Sequence, residues 1–513
     1  MLRFEVYHHG VLVDKIDLTG AYLFGQDRIP IRAELSAAQG QISCVKRMAG
    51  PAGLSLLWEA GDAGKLMLST TRLPERGEPY NLNVELARSR IMQLLLKRED
   101  WGLFDFDEAA GLNEQMERIR QLFVEALKAD EPGKAATIAD RVLAQAITFS
   151  ERMSLFHAEI FNRRRKGNPA MPRLVFGCLA DLDQNNDRYR QRLLEVSDFV
   201  SLPVAWKQLA PKERTYQWDV LDEWLNWASL HHRAVHAGPL VSFDPVDVPE
   251  WLYLFEHDYE ALRDTIYEHL QSVVQRYEKK IRVWRVLSGL HAYNSFNLGF
   301  EQIMELTRLS CSVVKRVSPK GVAIIDLVLP WGEYYARNQR TIPPLLYADM
   351  CVQSGVKFDA FGLQLYLGAP RDGSFVRDLM QISALLDEFA GFGLPLQITG
   401  VQVPSEVTPE TTGAMANVSP ADAGRWHQDW NPRLQAEWLA AFARVAMSKP
   451  FVESLCWRDV AETANHFLPH GGLCKDDLTP KLSFRELRNF RASLIGPEEA
   501  SGEGPRPLEP RQA

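Results

Sequence analysis

The first part of the chain alternates apolar and polar side chains over short stretches that end in glycine, proline or polar turns. Alternation with a period of two is typical of strands that bury one face. Short strands at this spacing predict a small β-sandwich or jelly roll over residues 1–72. The predicted strands are residues 2–7, 11–16, 29–35, 41–46, 54–59 and 65–69.

After residue 72 the period of the apolar side chains changes. Leu, Ile, Met and Ala recur at helical spacing within residues 81–97, 112–129 and 134–165. Apolar side chains at intervals of three and four residues predict amphipathic helices. Residues 73–169 are therefore predicted to form a helical connector between the sandwich and the rest of the chain.

From residue 170 onwards, strand patterns alternate with helical patterns such as 259–279, 300–316, 375–389 and 432–447. Eight strands with crossover segments between them predict an α/β fold, a closed TIM (β/α)8 barrel over residues 170–495. An open doubly wound sheet is the alternative. The tail, residues 496–513, is rich in Pro, Gly and Glu and is predicted to be disordered. The predicted barrel strands are residues 173–178, 198–202, 234–243, 282–287, 322–327, 358–365, 395–399 and 452–457.

Two of these strands end at a glycine where a barrel enzyme would place its chemistry. Gly289 follows the strand at 282–287, and Gly400 follows the strand at 395–399. The carboxyl ends of parallel strands form the face of a barrel that carries active sites. A glycine at such a place is more often a bulge or a close backbone approach than a sign of function.

Composition excludes several classes of function. The net charge of −8 argues against a general nucleic-acid or anionic-membrane surface, because phosphate binding needs concentrated Lys and Arg. The chain shows neither a secretory signal nor an apolar run of membrane-spanning length, so we expect a cytoplasmic location. Nucleotide-binding motifs are absent, and the six scattered cysteines have no metal-ligand spacing, so neither cofactor nor metal is expected.

Five motifs in the barrel region resemble family 10 of the glycoside hydrolases, the xylanase-type barrels. Residues 284–289 fall on the family's strand-4 pattern W-D-V-V-N-E, and residues 398–403 fall on its strand-7 pattern I-T-E-L-D-I. The other three matches are residues 361–367 on strand 6, residues 454–459 on strand 8 and residues 471–481 on the closing G-G-L-x-D-x-x-x-x-P-K. The resemblance implies a barrel of about 320 residues and a carbohydrate-module-like sandwich before it.

This sequence differs from the family mainly at the positions of its catalytic and sugar-binding residues. The family's acid/base glutamate aligns with Gly289, and its nucleophilic glutamate aligns with Gly400. A glycine neither protonates a leaving group nor attacks a sugar, so this pair cannot carry out double displacement. The family's sugar-binding Asn and Lys of strand 2 align with Leu202 and Ala205. The residues that we expect to contact a ligand are Trp206, Trp284, His291, Gln364, Tyr366 and Trp457.

Other carboxylates near predicted strand ends are conceivable substitutes for the lost pair. Polar loops are the normal surroundings of such groups, so a solvated or salt-bridged carboxylate is the commoner interpretation of each. Arg458 beside Asp459, for example, suggests an ion pair. The candidates are Asp244, Asp247, Glu250, Asp326, Glu333, Glu406 and Asp459.

Two functional hypotheses follow from these observations. The first is a catalytically degenerate barrel that binds a glycan, or serves as a scaffold for a protein partner, without hydrolysis. The alternative is an endo-1,4-beta-xylanase-like glycoside hydrolase that acts on a β-linked glycan through relocated carboxylates.

Overall fold

The structure is a computed structural model, and it describes residues 1–103, 110–166, 168 and 174–494. None of the helices in these ranges combines the length and the apolar character needed to cross a membrane. The predicted tail at 496–513 lies outside the described residues.

The N-terminal strands form a β-sandwich, as the alternating pattern predicts. One sheet has the strand order β10-β1-β7-β6, and the second has the order β19-β9-β8-β4-β5, while β2 and β3 form a separate ribbon. The sequence pattern missed the short strands β4 and β10, and it merged β5 with β6. The bounds are β1 Leu2–Glu5, β2 Tyr7–His8, β3 Val11–Leu12, β4 Tyr22–Phe24, β5 Pro30–Ile31, β6 Ala33–Ala38, β7 Gln41–Lys46, β8 Gly53–Glu59, β9 Gly64–Ser69 and β10 Tyr80–Asn81.

Three helices follow the sandwich: α1 Leu82–Asp100, α2 Ala110–Lys128 and α3 Pro132–Lys166. Helix α1 begins where the Asn81 side chain accepts a hydrogen bond from the backbone N–H of Val84 (3.3 Å), a standard N-cap. Helix α3 begins with a proline, which suits the first helical turn. Helix α3 contacts α1 and α2 on one side and the barrel helices α10 and α11 on the other.

The remaining strands close into a parallel barrel. The strand order is β13-β12-β11-β20-β18-β17-β16-β15-β14, and pairing of β13 with β15 completes the ring. The predicted strand at 234–243 is split into β13 and β14, because Pro239 lies between them and has no N–H to donate to the ladder. The bounds are β11 Val175–Leu179, β12 Phe199–Leu202, β13 Ala234–Ala237, β14 Val241–Ser242, β15 Val283–Ser288, β16 Val322–Leu327, β17 Ala360–Tyr366, β18 Leu396–Gln402 and β20 Val452–Asp459.

Helices surround the barrel, and the closed ring confirms the TIM-barrel prediction over the open sheet. Helix α10 shows how the ends are fixed, because Asp378 accepts hydrogen bonds from the N–H groups of Met380 and Gln381 (both 3.0 Å). The helices are α4 Asp187–Val196, α5 Trp206–Leu209, α6 Asp219–Leu230, α7 Tyr259–Tyr277, α8 Phe300–Val317, α9 Pro344–Gln353, α10 Leu379–Ala390, α11 Pro432–Ser448 and α12 Leu482–Ala492.

The sandwich and the barrel share one sheet. Strand β19, Arg425–Trp426, lies in the insertion after β18 and pairs antiparallel with β9, opposite Gly64 and Lys65. One continuous apolar cluster also runs from Leu2 in β1 to Leu487 in α12. The predicted limits at residues 72 and 169 therefore separate stretches of sequence that have a common core.

Candidate functional site at the barrel mouth

Gly289 stands directly after β15, at the carboxyl end of the barrel. Its backbone φ of +68° lies in the left-handed region, which residues other than glycine rarely adopt. A Cβ on Gly289 would come within 2.7 Å of Tyr293 Cδ2 and 3.0 Å of Val328 Cγ2. Both the backbone and the neighbouring side chains therefore disfavour a side chain at the position that aligns with the family's acid/base.

Gly400 lies within β18, and a neighbouring tyrosine fills the space beside it. A Cβ on Gly400 would overlap the hydroxyl of Tyr366 and would come within 2.7 Å of its Cζ. Tyr366 ends the adjacent strand β17, and only 8% of its surface is exposed. Burial raises the pKa of Tyr366 to about 12, so the phenol is neutral at physiological pH. A phenol thus occupies the space that a nucleophilic side chain at position 400 would need.

A buried carboxylate, Asp326 at the end of β16, lies between the two glycine positions. Its Oδ2 accepts hydrogen bonds from Gln364 Nε2 (2.6 Å) and Ser288 Oγ (3.2 Å). Its Oδ1 accepts a hydrogen bond from the hydroxyl of Thr399, and Arg285 Nη1 lies 3.9 Å from Oδ2. Burial raises the pKa of Asp326, although Arg285 and these hydrogen bonds oppose that shift. Asp326 therefore serves to connect four strands across the mouth.

Two further candidate carboxylates are also held by internal partners. Glu333 is fully buried, forms an ion pair with Arg377 and accepts a hydrogen bond from the backbone N–H of Gly373. Asp459 accepts hydrogen bonds from Gln402 Nε2 and from the backbone N–H of Phe467 (both 2.8 Å). Each of these groups is engaged in holding loops of the barrel.

Asp244 and Asp247 differ from these groups because they lie half-buried on one loop of the mouth, after β14. Burial raises the pKa of Asp247, and the charge of Asp244 acts in the same direction. Glu250 is exposed and pairs with Lys207 (3.3 Å), and Glu406 is exposed after β18. Asp244 accepts a hydrogen bond from the backbone N–H of Val246 (3.2 Å), and within the described chain neither Asp244 nor Asp247 forms an ion pair within 4 Å.

The residues predicted to contact a ligand divide into two groups. Gln364 and Tyr366 reach the mouth, where Gln364 donates to Asp326. The three tryptophans are buried, Trp206 in helix α5, Trp284 in strand β15 and Trp457 in strand β20. Trp206 stacks on His269 (ring centroids 4.0 Å apart), Trp457 Nε1 donates to the Gly471 carbonyl (3.1 Å), and Trp284 is fully buried in β15.

His291 is fully buried and packs inside the loop that follows β15. Its Nε2 lies 3.0 Å from the Val328 carbonyl oxygen, and its ring stacks on Tyr347 with centroids 5.2 Å apart. Burial lowers the pKa of His291 to about 4, so its ring is neutral at physiological pH. Its place in the structure is that of a packed core histidine.

The mouth also contains residues that sequence reasoning did not select. Phe467, from the loop after β20, packs against Tyr366 with ring centroids 4.7 Å apart. The guanidinium carbons of Arg371 and Arg458 lie 4.9 and 5.0 Å from the Phe467 ring centroid. No sequence signal brings these residues together, because they come from the end of β20, the loop after β20 and the loop after β17. The ion pair suggested for Arg458 and Asp459 is absent within 4 Å in the described structure.

A second cluster of polar groups lies between the loops after β18 and β20. Ligand atoms of Glu410, Glu462 and His470 lie within 4.8 Å of one another, a spacing that a metal ion could use. Two cationic side chains already neutralise these carboxylates. His466 Nε2 lies 2.8 Å from Glu410 Oε2, and the Lys481 ammonium donates to Glu462. These groups fit an internal ion-pair network better than a metal centre.

A family model matches the middle of the chain. Residues 185–307, from the start of the α4 region into α8, match the family described as Glycosyl hydrolase family 10. This segment contains β12 to β15 and therefore includes Gly289.

Known xylanases are among the proteins that this chain resembles. Endo-1,4-beta-xylanase A of Xylanibacter ruminicola is 32% identical over 82 residues, which are 15% of this chain and 22% of that protein. Endo-1,4-beta-xylanase B of Neocallimastix patriciarum is 24% identical over 166 residues, 30% of this chain and 18% of that protein. The matches span about a fifth of the length of these relatives.

Solved xylanase structures are also similar to this chain. A GH10 structure from Paenibacillus barcinonensis is 15% identical with a TM-score of 0.48, and the match covers 65% of this chain and 97% of that one. Xylanase B from Clostridium stercorarium is 14% identical with a TM-score of 0.47, over 62% of this chain and 97% of that one. The match of residues 185–307 and the closed parallel barrel confirm the resemblance inferred from the motifs: the barrel of this chain is similar to the xylanase-type barrels of glycosyl hydrolase family 10.

Proposed function

We propose that this barrel binds a glycan at its mouth without hydrolysing it. The observation that carries the proposal is the position of Tyr366, whose phenol occupies the space beside Gly400. Position 400 has no carboxylate, and the side chain of Tyr366 fills the space that such a group would need. Tyr293 takes a similar position beside Gly289.

The chemistry of retaining glycosidases supports a non-hydrolytic role. That mechanism needs two carboxyl groups about 5 to 5.5 Å apart, one as acid/base and one as nucleophile. General acid catalysis alone contributes about 100- to 10,000-fold. With glycine at both aligned positions, the barrel has no residue there to supply either contribution.

The mouth retains groups suited to contact a sugar. Gln364 offers an amide, and Tyr366 and Tyr293 offer aromatic rings with hydroxyl groups. Aromatic rings and a few fixed polar groups are the usual components of a small-molecule site. The sandwich is proposed to be a carbohydrate module on the same chain. The six cysteines are all free and buried, which fits the cytoplasmic location that we propose.

The experiment combines turnover with binding. Purified protein is incubated with xylan and with aryl β-xylosides, and in parallel xylotriose, xylohexaose and cellotriose are titrated into it by calorimetry. We expect heats of binding with at least one oligosaccharide and no release of reducing ends or aryl alcohol above the buffer blank. A Tyr366→Ala variant should weaken that binding, because it removes a ring from the mouth.

Two results would overturn the proposal. Turnover at an ordinary enzymatic rate would exclude a non-hydrolytic barrel. Failure of every oligosaccharide to bind would instead favour a scaffold for a protein partner. An Arg433→Gln variant on the exposed face of α11 is the control, and it should behave as the unmodified protein does.

A second candidate is hydrolysis through relocated carboxylates, and one observation favours it. Burial raises the pKa of Asp247, which is the direction of shift that a general acid needs. Any turnover that is detected should then disappear in Asp247→Asn and persist in Glu406→Gln, because Glu406 is exposed and outside this loop.

A further inference from the structure

Two arginines at the barrel mouth have no anionic partner. Arg458 is half-buried at the end of β20, and its Nε is buried without a hydrogen-bond partner. Arg371, in the loop after β17, makes no side-chain hydrogen bond. No carboxylate oxygen in the described structure lies within 4 Å of either guanidinium group.

Several buried arginines of this protein have carboxylate partners. Arg90 pairs with Asp378 through both terminal nitrogens, and Arg377 pairs with Glu333. Arg491 donates to Asp198 (2.7 Å). A guanidinium group carries five N–H donors in a planar arrangement that matches the two oxygens of a carboxylate. An arginine at the mouth whose donors have no acceptor is therefore a candidate binding site for an anion.

The geometry places the two mouth arginines around a common ring. Both guanidinium carbons lie about 5 Å from the centroid of Phe467, so they are at most about 10 Å apart. The Arg458 carbon also lies 6.0 Å from the centroid of Tyr366. A ligand that enters beside Tyr366 therefore meets positive charge together with an aromatic surface.

The acids nearby do not neutralise this pair by contact. Asp244 and Asp247 lie on the opposite loop and affect the arginines only through space. Asp326 is held by Gln364, Ser288 and Thr399, and Asp459 is held by Gln402 and Phe467.

We infer that the mouth recognises a carboxylated sugar, and that Arg371 and Arg458 bind the carboxylate of a hexuronic acid residue in a glycan. This inference rests on the proposed function and narrows its ligand. The sugar ring would lie against Tyr366 and Phe467, and its carboxylate would reach the two guanidinium groups. A free hexuronate carries the same carboxylate, so the test includes both forms.

The test compares acidic with neutral probes by calorimetry. The probes are xylotriose, xylotriose bearing one glucuronic acid, free glucuronic acid and acetate. We expect the glucuronosyl xylotriose to bind about 10- to 100-fold more tightly than xylotriose, the range for charge-assisted hydrogen bonds. That preference should decrease with added salt, because the interaction is between charges.

The variants assign the preference to the two arginines. Arg371→Gln and Arg458→Gln should each remove most of the acidic preference, measured as the ratio of the affinities for glucuronosyl xylotriose and xylotriose. Arg458→Lys should recover only part of it, since an ammonium cannot make the planar pair of hydrogen bonds. Arg433→Gln is the matched control. Thermal melting of each variant verifies folding, and Arg371 is exposed, so its variant is expected to fold.

The outcomes separate this inference from the proposed function. Equal affinity for acidic and neutral trisaccharides overturns the inference and leaves glycan binding intact. Binding of glucuronic acid or acetate alone, without any oligosaccharide, supports the carboxylate site and overturns glycan binding. If the arginine variants keep the full acidic preference, the assignment to these residues is wrong.

Discussion

At the residue scale, the glycines at 289 and 400, where the resemblance places the family's two carboxylates, were visible in the sequence, but the packing around them was not. The alignment places glycine at 289 and 400, and the structure adds that Tyr293 and Tyr366 fill the adjoining space. Sequence reasoning selected Tyr366 as a ligand contact. It could not see the tyrosine beside Gly400, because contact across neighbouring strands depends on a register that shifts between Leu363 and Gln364.

The close packing at Gly400 gives a prediction for stability. Gly400→Ala should destabilise the protein by about 1–3 kcal/mol, because the new methyl group overlaps the Tyr366 phenol. Urea unfolding measures the effect. Adding Tyr366→Ala should recover part of the loss, so the double variant should be less affected than the sum of the single variants. The control is Gly111→Ala in α2, where a Cβ would meet nothing within 4 Å and no loss is expected.

The same packing predicts that the missing acids cannot simply be restored. Gly289→Glu combined with Gly400→Glu should give a protein without measurable hydrolysis of aryl β-xylosides, because Tyr293 and Tyr366 hold the space that both side chains need. Circular dichroism establishes how much of the variant is folded. Turnover by the folded double variant would show that the tyrosines move aside readily.

At the element scale, the strand and helix patterns predicted the barrel to within a few residues, since each parallel strand is a buried apolar run. The errors have physical causes. Pro239 divides a predicted strand, and β4, β10 and β19 are two or three residues long, too short to produce an alternating pattern. The three tryptophans expected to contact a ligand are buried. For Trp284 and Trp457, sequence alone does not separate the two faces of a strand that is buried on both sides.

The buried pair between Arg90 of α1 and Asp378 before α10 is predicted to fix the connector on the barrel. Asp378→Asn should cost about 3–5 kcal/mol, because Arg90 would keep an uncompensated buried charge. Urea unfolding at neutral pH tests this expectation. The exposed pair on α11, Arg433 and Glu437, is the control, and Glu437→Gln should change stability by less than about 0.5 kcal/mol.

The loop pair His466 and Glu410 predicts a pH dependence. Burial alone would lower the pKa of His466, but the hydrogen bonds to Glu410 and the Thr463 carbonyl, together with the charges of Glu410 and Asp459, outweigh it and raise the pKa to about 9. Because the pKa of His466 is higher in the folded than in the unfolded protein, protonation of His466 stabilises the folded state. This stabilisation is complete below pH 6.5, the ordinary pKa of an unfolded histidine, and is lost as the pH rises towards 9. The stability advantage over His466→Gln should therefore decrease from about 3 kcal/mol at pH 6 towards zero near pH 10.

Thermal unfolding between pH 6 and pH 10 measures that advantage. A difference that stays constant with pH would show that the imidazolium ion is not what holds these loops. His232→Gln is the control, because His232 is exposed and its ring makes no hydrogen bond within the described chain.

At the scale of the whole molecule, the sandwich, connector and barrel share one apolar cluster. Glu151 of α3 ties them further, because it accepts hydrogen bonds from Trp426 Nε1 (2.6 Å) and from the backbone N–H of Leu379 (3.2 Å). We expect one cooperative unfolding transition in calorimetry, with equal calorimetric and van't Hoff enthalpies. Glu151→Ala should lower that single melting temperature, whereas two separate transitions would contradict a common core.

The position of strand β19 limits how the domains of this chain can be exchanged in evolution. A module that joins its neighbour through a flexible linker can be exchanged, duplicated or lost as a unit. Here the outermost strand of the second N-terminal sheet is encoded more than 350 residues further on, inside an insertion of the barrel. Gene segments for the two parts can therefore be inherited only together, because a sandwich transferred alone would arrive with an unpaired edge.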